Sequence, residues 1–178
     1  MESIVNEFDL QISVNVTNDV IDLQSVIMKN PACTHGAGNI FIGYVRDLNL
    51  GKKVVGIEYD CYESMCLKVF KEITQEALVK WDKNALVTII HRQGFLNVSE
   101  VSVVIMVTSK HRDESYKISR YIIAEIKTRA PIWKKEFYTD GETDWVKGHA
   151  LCQHRKVDHH ESDGHFACGG TIHSHAKG

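Results

Sequence analysis

Residues 100–146 read EVSVVIMVTSKHRDESYKISRYIIAEIKTRAPIWKKEFYTDGETDWV, and the changes of pattern within this stretch decide the fold. Residues 100–108 form a run rich in β-branched side chains, which predicts a strand. A long helix is predicted from about Arg112 to Arg129. Ala130 stands before Pro131, whose ring disfavours helical backbone at the preceding residue, so the helix ends there. Residues 134–146 then read as a strand or hairpin, with Asp140-Gly141 as its turn.

The same alternation extends toward the N-terminus. Met65, Val69, Phe70, Ile73, Ala77, Leu78 and Trp81 recur at helical spacing and predict an amphipathic helix over 63–81. Leu10, Ile12, Val14 and Val16 alternate as in a strand, and Asn18 is placed to cap a short helix reaching Met28. Residues 39–46 and 54–62 are β-rich and flank the turn signal Asn49-Leu50-Gly51-Lys52, which suggests that they pair as a hairpin. A further strand is expected over 85–90. Strand pairs separated by single helices predict an α+β fold, an antiparallel β-sheet with two long helices, rather than a doubly wound parallel sheet.

The chain has 178 residues, 43% of them hydrophobic and 25% charged, enough for one packed domain. A formal charge of -2 excludes nucleic-acid binding through bulk positive charge, so any anion site must be a local cluster. No segment has the ~20 consecutive apolar residues that a membrane helix needs. The first basic residue is Lys29, and the N-terminus has no signal-peptide character. Five cysteines without framework spacing fit a reducing compartment, which predicts a cytosolic protein. Residues 151–178 hold six of the ten histidines and few aliphatics, so the expected organisation is a folded unit over 1–150 and a mostly disordered tail over 151–178. The ligand-capable tail residues, among them Cys152, His154, His165 and Cys168, lack the paired spacing of a closed zinc module, so no metal site is expected.

The basic residues cluster. Lys127, Arg129, Lys134 and Lys135 fall within nine positions, His111-Arg112 opens the helix that Lys127 ends, and Arg46 and His91-Arg92 end predicted strands. A helix N-terminus offers unpaired N–H groups to an anion, and arginine adds a fork matched to phosphate or carboxylate. The plainer reading is that Lys127 and Arg129 only complement the helix dipole. No Walker loop, Gly-x-Ser-x-Gly or His-Glu-x-x-His is present, and Gly36-Ala37-Gly38 reads as a turn.

Taken in order, the strings 36–46 (GAGNIFIGYVR), 58–62 (EYDCY) with Met65, 91–94 (HRQG), 108–112 (TSKHR), 127–136 (KTRAPIWKKE), Asp140-Gly141 and Trp145-Val146 closely resemble the large, catalytic subunit of molybdopterin synthase. The resemblance spans 36–147, and the 127–136 string is its most specific part. It implies a hammerhead-like α+β fold and a sulfurtransferase that converts cyclic pyranopterin monophosphate to molybdopterin, without a cofactor of its own. It implies two partners: a small ubiquitin-like subunit delivering sulfur as a C-terminal Gly-Gly thiocarboxylate, and a second large subunit forming the central dimer of a heterotetramer. Carried over by position, Arg46, His111, Arg112, Lys127, Lys134, Lys135 and Glu136 would contact substrate. Lys127 and Lys134 would be catalytic, Lys127 either as a proton shuttle or as a charge stabiliser. Ser99 departs from the glycine common in the family, Asp60 from a common glutamate, and only Lys147 and His149 follow Trp145-Val146 where the family often has another basic contact.

Helix length adds one inference. Arg112 and Lys127 lie fifteen residues apart, about 22 Å along a helix at ~1.5 Å per residue. A pterin-sized ligand does not span both, so a site using both would be composite, with His111-Arg112 given by the other subunit of a dimer. A rival reading is a catalytically silent module that keeps the partner groove.

Overall fold

The computed structural model describes residue 8, residues 10–28 and residues 32–146. The tail over 151–178, with Lys147 and His149 before it, lies outside the described residues, and so does its expected disorder.

Nine strands and three helices build two sheets among the described residues. The first sheet has the order β1-β5-β7-β2, from β1 (Ile12–Thr17), β5 (Leu86–Arg92), β7 (Val101–Ser109) and β2 (Ala37–Tyr44). Its β1–β5 pair is parallel and its other pairs are antiparallel. The second sheet joins β3 (Leu48–Asn49), β4 (Lys52–Cys61), β8 (Ile132–Tyr138) and β9 (Thr143–Val146), with β6 (Gly94–Asn97) also paired to β4. The α+β class expected from sequence is the observed one, but the first sheet is mixed where an antiparallel sheet was expected, while the second is antiparallel throughout.

Helices α2 (Glu63–Trp81) and α3 (Arg112–Arg129) pack on one face of the first sheet. Buried Cys66, Phe70, Ile73, Ala77 and Leu78 of α2 follow the 3.6-residue period. They meet Ile118, Ile122 and Ile126 of α3 over Val87, Ile89, Ile105 and Val107 of the sheet. Across the helices, Arg129 forks onto Glu76 at 2.7 and 3.0 Å, with Glu72 and Glu125 nearby. Ala130 leaves the helix with ψ 133°, as Pro131 requires. A smaller core of Val45, Val54, Ile57, Leu96 and Tyr138 fills the second sheet.

Three local expectations need correction. Residues 39–46 and 54–62 do not form a hairpin: β2 pairs with β7, while β4 pairs with β3, β6 and β8 in the other sheet. The turn at Leu50-Gly51 is real, with both residues at positive φ, but it closes on the two-residue β3. Asn18 does not cap α1 (Leu23–Met28); the Asp22 carboxylate does, accepting the N–H groups of Gln24 at 3.0 Å and Ser25 at 3.2 Å. Gly36-Ala37-Gly38 is the entry into β2 rather than a turn.

A cation-lined cavity where the two sheets meet

A cavity of about 400 Å³ opens between the end of β2, the last turn of α3, and strands β4 and β8. That volume lies within the ~300–1,000 Å³ of typical small-molecule sites. Arg46 reaches it from the segment after β2, and Lys127 from the last turn of α3. Lys134 and Glu136 enter together from β8 because residues two apart on a strand share a face. Four side chains singled out in the sequence are thus gathered from three places in the chain.

The remaining candidates lie elsewhere in the protomer. Lys135, between Lys134 and Glu136, faces the other side of β8, with its Nζ over the rings of Phe137 at 5.3 Å and Trp145 at 5.9 Å. His111 and Arg112 are exposed at the far end of α3, where Asp113 and Glu114 already occupy the first turn. Arg129 is turned to α2 and takes no part in the cavity. Arg92 faces Glu100 at 3.5 Å, whereas its neighbour His91 lines the cavity.

Glu136 is the electrostatic centre of the site. Its side chain is only 3% exposed and accepts three hydrogen bonds. Asn49 Nδ2 donates at 2.7 Å and the Tyr138 hydroxyl at 2.9 Å to one oxygen, and Lys134 Nζ donates at 3.3 Å to the other. Burial holds the Lys134 ammonium below the usual lysine range. Glu136 opposes that shift, while Arg46 and Lys127 add to it. Tyr138 is pushed up, by burial first and then by donating to Glu136.

Sequence reasoning missed the cavity's neutral wall and counted His91 only among the basic residues that end predicted strands. His91 is buried, and burial pushes its imidazole down to about 4. Its Nδ1–H donates to the Arg92 carbonyl at 2.7 Å, and its ring meets Tyr59 edge-on at 5.3 Å. Burial raises Tyr59, which also lines the cavity beside Ser102. Asn49 read only as part of a turn signal, because nothing local reveals a partner 87 residues away.

The fold and the cavity together define an α+β protein with a cavity of small-molecule size, lined by converging cations around one buried carboxylate. The chain belongs to the MoaE protein family, whose model matches residues 16–129. It is 43% identical over 122 residues to the molybdopterin synthase catalytic subunit of Synechococcus elongatus, covering 68% of this chain and 74% of that protein. It is 48% identical over 111 residues to the subunit of that name from Halalkalibacterium halodurans, covering 62% of this chain and 70% of the relative. The crystal structure of molybdopterin synthase from Staphylococcus aureus superposes with a TM-score of 0.69 at 33% identity, covering 74% of this chain and 94% of that one. No helix among the described residues is long and apolar enough to cross a membrane.

Proposed function

We propose that this protein is the catalytic subunit of a molybdopterin synthase, a sulfurtransferase that places two sulfurs on cyclic pyranopterin monophosphate. The sulfur comes as a thiocarboxylate on the C-terminal Gly-Gly of a small ubiquitin-like subunit. The observation that carries this reading is the convergence of Arg46, Lys127 and Lys134 on one cavity of ligand size.

Both ligands are anionic, and the cavity suits them. A cyclic phosphate is matched by the Arg46 fork and by ammonium groups. Attack of the thiocarboxylate sulfur on a pterin side-chain carbon joins the two molecules as a thioester, as a C–O bond at that carbon breaks and its oxygen leaves as water or on the opened phosphate. Water then adds to the acyl carbon, and the carbon–sulfur bond breaks. The sulfur stays on the pterin and the tail leaves as a carboxylate. The oxyanion formed on water addition needs a fixed positive group, and Lys127, which lines the cavity, would supply it. Lys134, with its proton held less firmly, serves the pterin side.

The length of α3 supports a composite site. Arg112 and Lys127 lie at opposite ends of this 18-residue helix, about 22 Å apart. The His111-Arg112 contact therefore comes from a second copy of the chain, in a dimer carrying one small subunit on each half. The silent-module reading leaves the three converging cations without a task.

The deciding experiment is reconstituted conversion. The protein is mixed with thiocarboxylated small subunit and cyclic pyranopterin monophosphate, and the dithiolene product is detected, with Lys127→Ala in parallel. Product from the wild type and little from the variant is expected. A wild-type protein that binds the small subunit and intact substrate yet makes no product would overturn the reading.

A further inference from the structure

Glu136 sits among the substrate-facing cations, yet its geometry does not suit a substrate contact. A carboxylate has roughly four acceptor positions, and three are filled by the chain's own donors. The residue is 2% exposed. Both proposed ligands are anions, which a bare carboxylate repels.

We propose that Glu136 is a positioning residue for Lys134 rather than a substrate contact, and that Asn49 and Tyr138 hold its carboxylate in the orientation this requires. The inference rests on the cavity being the pterin and thiocarboxylate site, since that is what gives Lys134 its task. Asn49 is suited to the role because a primary amide donates a hydrogen bond without adding charge. It is 7% exposed and stands on β3, a strand of two residues ending in the Leu50-Gly51 turn. That short return of the chain brings the Asn49 amide to Glu136 Oε2 at 2.7 Å. Tyr138 completes the clamp from two residues along β8, its hydroxyl on the same oxygen. Glu136 is thereby left with its other oxygen toward Lys134.

Lys134 shares its surroundings with Glu136 and Tyr138 on β8, Arg46 after β2, Lys127 on α3, Tyr59 on β4 and His91 on β5. Asp144 on β9 stands opposite Glu136 in the ladder. Among the groups acting on Lys134, Arg46 and Lys127 oppose its charge and Glu136 favours it.

The test has two arms. The first needs no substrate: the Lys134 amine is titrated by lysine side-chain NMR in wild type and Glu136→Gln. Loss of the carboxylate is expected to lower its midpoint by about one unit. An unmoved midpoint in a folded variant overturns the proposal. The second arm is steady-state conversion. Asn49→Ala and Tyr138→Phe are expected to lower kcat by about tenfold while KM for the pterin stays within about twofold, the pattern of a lost transition-state interaction. A raised KM with kcat intact overturns it. Asn49→Asp sets two carboxylates together to share a proton, so its pH optimum is expected to move to lower pH, unlike that of Asn49→Ala. Tyr138→Phe keeps its ring in the core and carries the test if the Asn49 variants do not fold. Absence of wild-type product, with Lys134 still following Glu136, overturns only the functional reading. Wild-type product, with Lys134 indifferent to Glu136, overturns the positioning role.

Discussion

Lys134 and Lys135 are adjacent in sequence and face opposite sides of one strand. Lys134 donates to the buried Glu136 at 3.3 Å inside the cavity, while Lys135 lies over Phe137 and Trp145 on the outer face. The pleat of β8 separates two like charges into different environments. Conversion is therefore expected to separate them as well. Lys134→Ala should lose at least about 100-fold, the scale of a lost acid–base or charge-stabilising group. Lys135→Ala should lose much less. Comparable losses from both would mean that the outer face also meets substrate.

A second contrast lies two residues apart at the end of α3. Lys127 points to the cavity, and Arg129 forks onto Glu76 of α2. Arg129→Ala is expected to leave conversion near wild type and to cost no more than about 1 kcal/mol, as for other solvent-screened pairs. Denaturant titration beside the activity assay checks both parts. Lys127→Ala should show the reverse, with stability kept and activity lost.

A composite site, as proposed, makes a prediction that one protomer cannot satisfy. Arg112→Ala and Lys127→Ala homodimers should each be impaired. Mixed dimers carrying one subunit of each kind should regain one intact site and part of the wild-type rate. Confirmed mixing with no recovery would place both residues in separate roles within one chain.

How much of this was legible beforehand varies with the range of the interaction. Both long helices were readable from their periods and stops, because Pro131 and the α2 apolar stripe act over a few residues. Strand partners were readable only where a tight turn joins them, as in the β8–β9 hairpin around Asp140-Gly141. The 39–46 and 54–62 segments looked like a hairpin around a true turn signal, but the register that buries their apolar faces sends them to different sheets. The strand β6 was missed because four residues with a leading glycine carry little pattern. In the site, Arg46, Lys127, Lys134 and Glu136 were legible through their family resemblance and now stand around one cavity. Asn49 and Tyr59 were not, since each matters through a partner distant in sequence, and His91 was legible only as one of the basic residues ending predicted strands.

His91 ties the cavity wall to acid stability. Its folded-state value is pushed down to about 4 by burial, against 6.5 for an ordinary histidine. Its contribution is fully present above pH 6.5 and is lost as pH falls toward 4, because the unfolded chain takes up the proton first. The shift corresponds to about 3 kcal/mol as an upper figure. His91→Gln is expected to flatten stability across that window while leaving the slope at higher pH unchanged. Urea titrations at several pH values measure this, and an undiminished acid slope in the variant would assign it to the carboxylates.

Ser99 is strained by the turn it occupies. Its φ is 71°, in the left-handed region where a Cβ crowds the following carbonyl. The Asn97-Val98-Ser99-Glu100 turn holds it there: Ser99 N–H donates to the Val45 carbonyl at 2.8 Å, Val45 N–H returns to the Glu100 carbonyl at 3.0 Å, and Glu100 accepts the Asn97 N–H at 2.7 Å. Those bonds fix the backbone whichever residue stands at 99. Glycine relieves the clash but adds freedom to the unfolded chain, and the two effects partly cancel. Ser99→Gly is expected to stabilise the protein by about 0.5–1 kcal/mol without changing conversion, because the strained φ costs about 1–2 kcal/mol and glycine returns about half of it as entropy. A thermal melt checks the sign. A destabilised variant would show that the serine side chain contributes an interaction exceeding the strain.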